Sequence, residues 1–147
     1  MKLFVMLLVL ISGMFATTQA GVNAILSSYL KSNLTAALIS FIVGSIGLFI
    51  FIFAFKLYPT EEIAFSNIPW WAYLGGLLGA FLVTVTIFAV PRLGATTMFA
   101  LFIAGQMLAS IIYDHFGVLG YPKHPVSLIR VLGVALIFIG VALVKYF

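Results

Sequence analysis

The residues able to do chemistry in this sequence are few, and they recur at helical spacing. Ser12, Ala16, Gln19, Asn23 and Ser27 follow one another at steps of three and four. Each residue turns an α-helix by about 100°, so all five share one face. Further along, Gln106, Ser110 and Asp114 recur at four-residue steps. An amide turned to lipid finds no hydrogen-bond partner, so Gln19 and Asn23 must face protein or a water-filled cavity. That leaves two readings of the face: hydrogen bonds between helices, or the lining of a substrate path. Asp114 is the only acid outside the Glu61–Glu62 pair. An ionisable group at the end of an apolar segment invites a functional reading. Arg130 opens the next apolar run, however, so a structural Asp114–Arg130 pair competes with a gating or coupling role. His115 and His124 lie at or beside a loop, and neither is assigned to a metal.

The elements that position these residues follow from composition. Of 147 residues, 65% are hydrophobic and 7% charged, and the mean hydropathy is +1.31. Soluble domains are typically about 45–50% apolar and about 25% charged, so this chain could not cover its own surface in water. The ten charges divide it into apolar runs: 28 uncharged residues between Lys2 and Lys31, 24 between Lys31 and Lys56, 29 between Glu62 and Arg92, and 21 between Arg92 and Asp114. A helix needs roughly 20 residues to cross a bilayer. Each run therefore holds one span, expected at Leu3–Leu30, Leu34–Phe55, Ile68–Val90 and Leu93–Tyr113. The 14 residues between Arg130 and Lys145 are too short unless the helix starts near Val126 and Arg130 reaches back to the interface. The expectation is an all-α bundle of five transmembrane helices, with four as the alternative, forming a single transmembrane domain over 1–147.

Punctuation agrees with those spans. Asn33 and Ser127 are candidate N-caps of the second and fifth helices. Pro69 precedes Trp70 and Trp71, a helix start with aromatic anchors at headgroup level. Pro91-Arg92-Leu93-Gly94 marks a tight break. Gly44, Gly47, Gly75, Gly76, Gly79, Gly133 and Gly140 are read as close-approach points between helices, the last two also as a dimer seam. Lys2, the apolar run after it and Thr18-Gln19-Ala20 imitate a signal peptide. Apolar residues resume at once and continue to Leu30, so the segment is expected to remain as the first span.

Several function classes are excluded or disfavoured. There is no cysteine, no glycine-rich phosphate loop ending in Lys-Ser/Thr, and no paired-carboxylate, metal-ligand or nucleophile–base arrangement. Neither an enzyme nor a cofactor or metal is expected. The net charge of +4 comes from scattered single basic residues, the pattern of helix ends among lipid headgroups rather than of nucleic-acid binding. With five spans, Lys2, Lys56, Lys123 and Arg130 fall on one side and Lys31, Arg92 and Lys145 on the other. Four against three barely specifies an orientation. Either context fixes one orientation, or the chain inserts both ways and pairs with an inverted copy of itself.

A resemblance sharpens this. Gln19-Ala20-Gly21-Val22-Asn23-Ala24, Ala36-Ala37-Leu38-Ile39-Ser40-Phe41-Ile42-Val43-Gly44, Gly75-Gly76-Leu77-Leu78-Gly79-Ala80-Phe81, Pro91-Arg92-Leu93-Gly94-Ala95 and the block from Ala104-Gly105-Gln106-Met107 to Asp114-His115-Phe116-Gly117 together resemble the YdcZ-like family. That family belongs to the drug/metabolite transporter superfamily of bacterial inner-membrane proteins. The resemblance covers nearly the whole chain. It implies a multi-pass protein of the bacterial inner (plasma) membrane, half of a ten-helix inverted-repeat transporter, completed as an antiparallel homodimer. The expected function is secondary transport of a small metabolite or drug-like solute by alternating access. The alternative is a non-transporting membrane subunit that assembles with or modulates a partner. Gln19, Asn23 and Gln106 are then the expected substrate-binding amides, and Asp114 and Arg130 a gate or coupling pair. Small multidrug resistance proteins of the same superfamily keep an acid in the first helix. Here Gln19 and Asn23 occupy that helix, so proton-driven cation export by that route is not implied.

Overall fold

The structure, a computed structural model, describes residues 1–60 and 64–146, with the backbone alone at Asn67. The acids Glu61 and Glu62 lie outside the described residues. The elements are α1 (Lys2–Leu30), α2 (Asn33–Ala54), α3 (Gly75–Leu93), α4 (Ala95–Phe116) and α5 (Leu128–Tyr146), with short 3₁₀ turns at Phe65–Asn67 and Trp70–Leu74. Among the described residues there is no strand. Five helices are long and apolar enough to cross a membrane, α3 being counted together with the 3₁₀ turn that leads into it. The count is therefore five, not four. At 1.5 Å per residue, the 19 residues of α5 rise about 28 Å, close to the ~30 Å hydrocarbon thickness.

Helix ends differ from the sequence expectation in two instructive places. The N-cap of α2 is Ser32, not Asn33: the Thr35 N–H donates to Ser32 Oγ at 3.2 Å. Lys31 closes α1 in the left-handed conformation (φ 53°, ψ 25°), and only Ser32, extended at φ −153°, fits between it and α2. Asn33 thus becomes the first helical residue and its side chain is released for another task. At the other break, Pro91 lies inside α3, which runs on to Leu93. Gly94 (φ 77°, ψ 153°) makes the turn into α4, a backbone conformation that is essentially restricted to glycine. Ser127 behaves as expected, accepting the Arg130 N–H at 3.4 Å at the start of α5.

By its contacts the chain forms two compact units, Met1–Pro91 and Arg92–Phe147. In the first, Ala36 and Ala37 of α2 are buried with Ile87 of α3, and Leu26 and Val83 pack against them. In the second, α4 and α5 pair, joined by the 117–127 loop.

Among the described residues the buried small apolar residues are alanines rather than the glycines. Of the eight buried apolar residues among those described, five are Ala20, Ala36, Ala37, Ala89 and Ala104. A Cβ built on Gly44, Gly47, Gly75, Gly76, Gly133 or Gly140 would meet nothing within 4 Å, and one on Gly79 would merely touch the Phe41 ring at 3.4 Å. A methyl group is small enough to let two helix backbones approach, and alanine favours the helix by about 1 kcal/mol over glycine.

Candidate functional site

Each unit gathers its own polar side chains. In the first unit the α1 face resolves into three different situations along successive turns. Ser27, buried, donates its hydroxyl hydrogen to Asn33 Oδ1 at 2.6 Å. That contact ties α1 to α2, and it exists because Ser32 took over the capping. One turn earlier Asn23 is only 5% exposed. Its amide nitrogen Nδ2 is buried with no hydrogen-bond partner, a condition that typically costs about 1–3 kcal/mol. One turn earlier again Gln19 is exposed, and it lines a recess of about 280 Å³ with Ser40, Phe41, Gly44 and Leu48. Along this face, then, Ser27 bonds between helices, the Asn23 amide nitrogen is unsatisfied and the Gln19 amide is open.

In the second unit Arg130 Nη1 donates to Asp114 Oδ2 at 3.3 Å and to the His124 carbonyl at 3.4 Å. The side chains are 40% and 28% exposed respectively. The pair expected from sequence is thus formed, 16 residues apart, because the intervening loop is folded back on the end of α4. Gly117 takes the left-handed C-cap (φ 64°, ψ 36°) and its N–H donates to the Tyr113 carbonyl. The His124 N–H then donates to the Asp114 carbonyl at 2.7 Å. Tyr121 stacks on Tyr113 with ring centroids 6.1 Å apart. Finally the Val126 N–H donates to His115 Nδ1 at 3.2 Å, which requires a lone pair on that nitrogen. His115 is thus a loop clamp. Sequence spacing could not reveal it, because the two partners stand 11 residues apart with an irregular loop between them.

From this ion pair an apolar groove of about 400 Å³ runs between α4 and α5, bounded by Met107, Ser110 and Ile111 on one side and by Gly133, Val134 and Ile137 on the other. Gln106 does not line it and is exposed. A four-residue step overshoots a full turn by about 40°, so two such steps carry Gln106 about 80° away from Asp114. Met107, seven residues before Asp114, takes the position instead. Gly133 of α5 lines this groove beside α4 and remains exposed.

Comparison with known proteins agrees with the helices. The model of a family described as "Putative inner membrane exporter, YdcZ" matches residues 4–143. The chain is 30% identical over 113 residues to the inner membrane protein YdcZ of Escherichia coli (strain K12), covering 70% of this chain and 74% of that protein. No solved structure matches.

Proposed function

Because the chain belongs to the YdcZ family and is a multi-pass protein of the inner membrane, we propose that it is a secondary transporter for a small metabolite or drug-like solute. The observation that carries this reading is Asn23. An amide N–H held in a membrane-spanning helix without an acceptor is a standing cost, and it is relieved when a solute oxygen arrives as acceptor. Gln19, open to its recess one turn away, supplies a further amide of the solute path; Gln106, exposed on α4 and outside the α4–α5 groove, is left out of it. The partly exposed Asp114–Arg130 pair, joined by one contact of 3.3 Å, is the gate or coupling element. Such a pair contributes only about 0–1 kcal/mol, so it opens without a large barrier. The family description, an exporter, supports the same reading.

Transport in this proposal is by alternating access, with the chain as one half of an inverted-repeat assembly. With each of the five membrane-length helices crossing once, an odd number of crossings leaves the two termini on opposite sides in this reading. The near-equal basic charge of those faces lets a second copy insert upside down. The chain has no cysteine, so single cysteines introduced at each terminus report orientation cleanly in intact cells. Labelling of both termini from the same side supports the antiparallel homodimer; one orientation for every copy overturns it. Solute flux itself is measured in proteoliposomes, where Asn23→Leu abolishes flux while the protein stays folded. Undiminished flux removes Asn23 from the path.

A further inference from the structure

We infer that the groove between α4 and α5 is a binding site for one membrane phospholipid, seated with its phosphate on Arg130 and an acyl chain between Met107–Ile111 and Val134–Ile137. The inference shares Arg130 with the gate proposed above but does not rest on transport, and its test reads bound lipid rather than flux.

The shape and the charge of this site agree with each other. The groove is mostly apolar along its length, with Asp114 and Arg130 at one end and the Ser110 hydroxyl one turn in from them. That end adjoins the loop, where a headgroup region begins; from it the lining extends seven residues along each helix, about 10 Å at 1.5 Å per residue. A molecule that fits must therefore carry its charge at the interface and its apolar part toward the bilayer interior. Lys123, His124, His115, Arg130 and the phenols of Tyr113 and Tyr121 are the other titratable groups of this end, with Asp114 its only described carboxylate. Taking both histidines as neutral, Lys123 and Arg130 against Asp114 leave one net positive charge, which an anionic phosphodiester complements. Arg130 can receive it: Nη1 alone is engaged, by two long contacts of 3.3 and 3.4 Å. The remaining N–H groups of its planar fork suit a phosphate. The backbone at Gly133 opens the groove, for a Cβ there meets nothing within 4 Å. Basic pockets between spanning helices are a recurrent form of headgroup site.

The test uses the full chain purified in a mild detergent and read by native mass spectrometry and thermal unfolding. Phosphatidylglycerol is the probe, with glycerol phosphate as the headgroup lacking a tail. The expected result is retention of one phosphatidylglycerol per chain and a raised melting temperature, with no effect of glycerol phosphate. Gly133→Leu fills the groove and leaves the ion pair intact; it has room for its side chain and keeps the helix, and it loses the bound lipid. Arg130→Gln weakens retention at least tenfold without removing the groove. Equal lipid retention by the wild type and Gly133→Leu overturns the proposal. So does full stabilisation by glycerol phosphate, which would make the site one for free anions. A change of oligomeric state in Gly133→Leu with no change in bound lipid likewise overturns it, in favour of a second copy of the chain in the groove.

Discussion

Ser27 donates to Asn33 Oδ1 across the α1–α2 turn at 2.6 Å, the shortest of the side-chain bonds described here. Six residues separate the two in sequence, and Lys31 and Ser32 between them hold the non-helical conformations that bring the helices side by side. Ser27→Ala leaves Asn33 Oδ1 without that donor. Interhelical bonds of this kind in membranes average about 0.6 kcal/mol and reach about 1.7, so the expected loss lies in that range, measured by unfolding in detergent. A neutral result would mean that Asn33 finds another donor.

Asn23 should show the opposite sign. Asn23→Leu removes a buried donor that has no partner, and stability should rise by about 1 kcal/mol or more while flux is lost. Gln19→Leu, at an exposed position, should leave stability nearly unchanged and also depress flux. A destabilised Asn23→Leu would show that the amide is structurally satisfied.

The Asp114–Arg130 pair invites a double-mutant cycle. With both side chains partly exposed, Asp114→Asn and Arg130→Gln should couple by no more than about 1 kcal/mol in stability. A gating role predicts that either substitution changes flux far more than that energy suggests. Coupling of several kcal/mol would instead mark the pair as a structural strut.

Two glycines should respond oppositely to alanine. Gly117 sits at φ 64° and a Cβ there would stand 3.2 Å from the Lys123 Cβ. Gly117→Ala should therefore cost about 1–2 kcal/mol and loosen the loop that delivers Arg130 to Asp114. Gly47→Ala, with open space and helical backbone, should be neutral or stabilising by about 0.5–1 kcal/mol. Amide hydrogen exchange at Val126 and His124 reads the loop directly.

Much of the fold was legible because the bilayer sets it. A spanning helix needs a fixed length of uncharged chain, so the gaps between Lys2, Lys31, Lys56, Glu62, Arg92 and Asp114 located four helices. The short fifth run could be completed only by including Arg130. The α1 face was legible too, since its mixed three- and four-residue steps keep within about 40° of Asn23. The α4 pattern misled for the same geometric reason: unbroken four-residue steps drift, and Gln106 left the face it shared on paper with Asp114. Glycine and alanine both satisfy a small-residue rule, and only packing distinguishes which of them the helices meet on. The His115–Val126 bond and the choice of Ser32 over Asn33 depend on how the loop and turn close in space, which no spacing encodes.

The alanine contacts have a mechanical consequence. Large interdigitated side chains act as teeth, and moving one helix past another requires each to leave its notch and change rotamer. Alanine has no side-chain rotamer to change. Where Ala36 and Ala37 meet Ile87, Leu26 and Val83, only one of the two surfaces carries teeth, and the contact is closer to a plain bearing than to a gear. Helices seated this way can slide or tilt with few side chains to rearrange. The same sparse packing that leaves the protein dependent on its membrane also lowers the friction against movement within it.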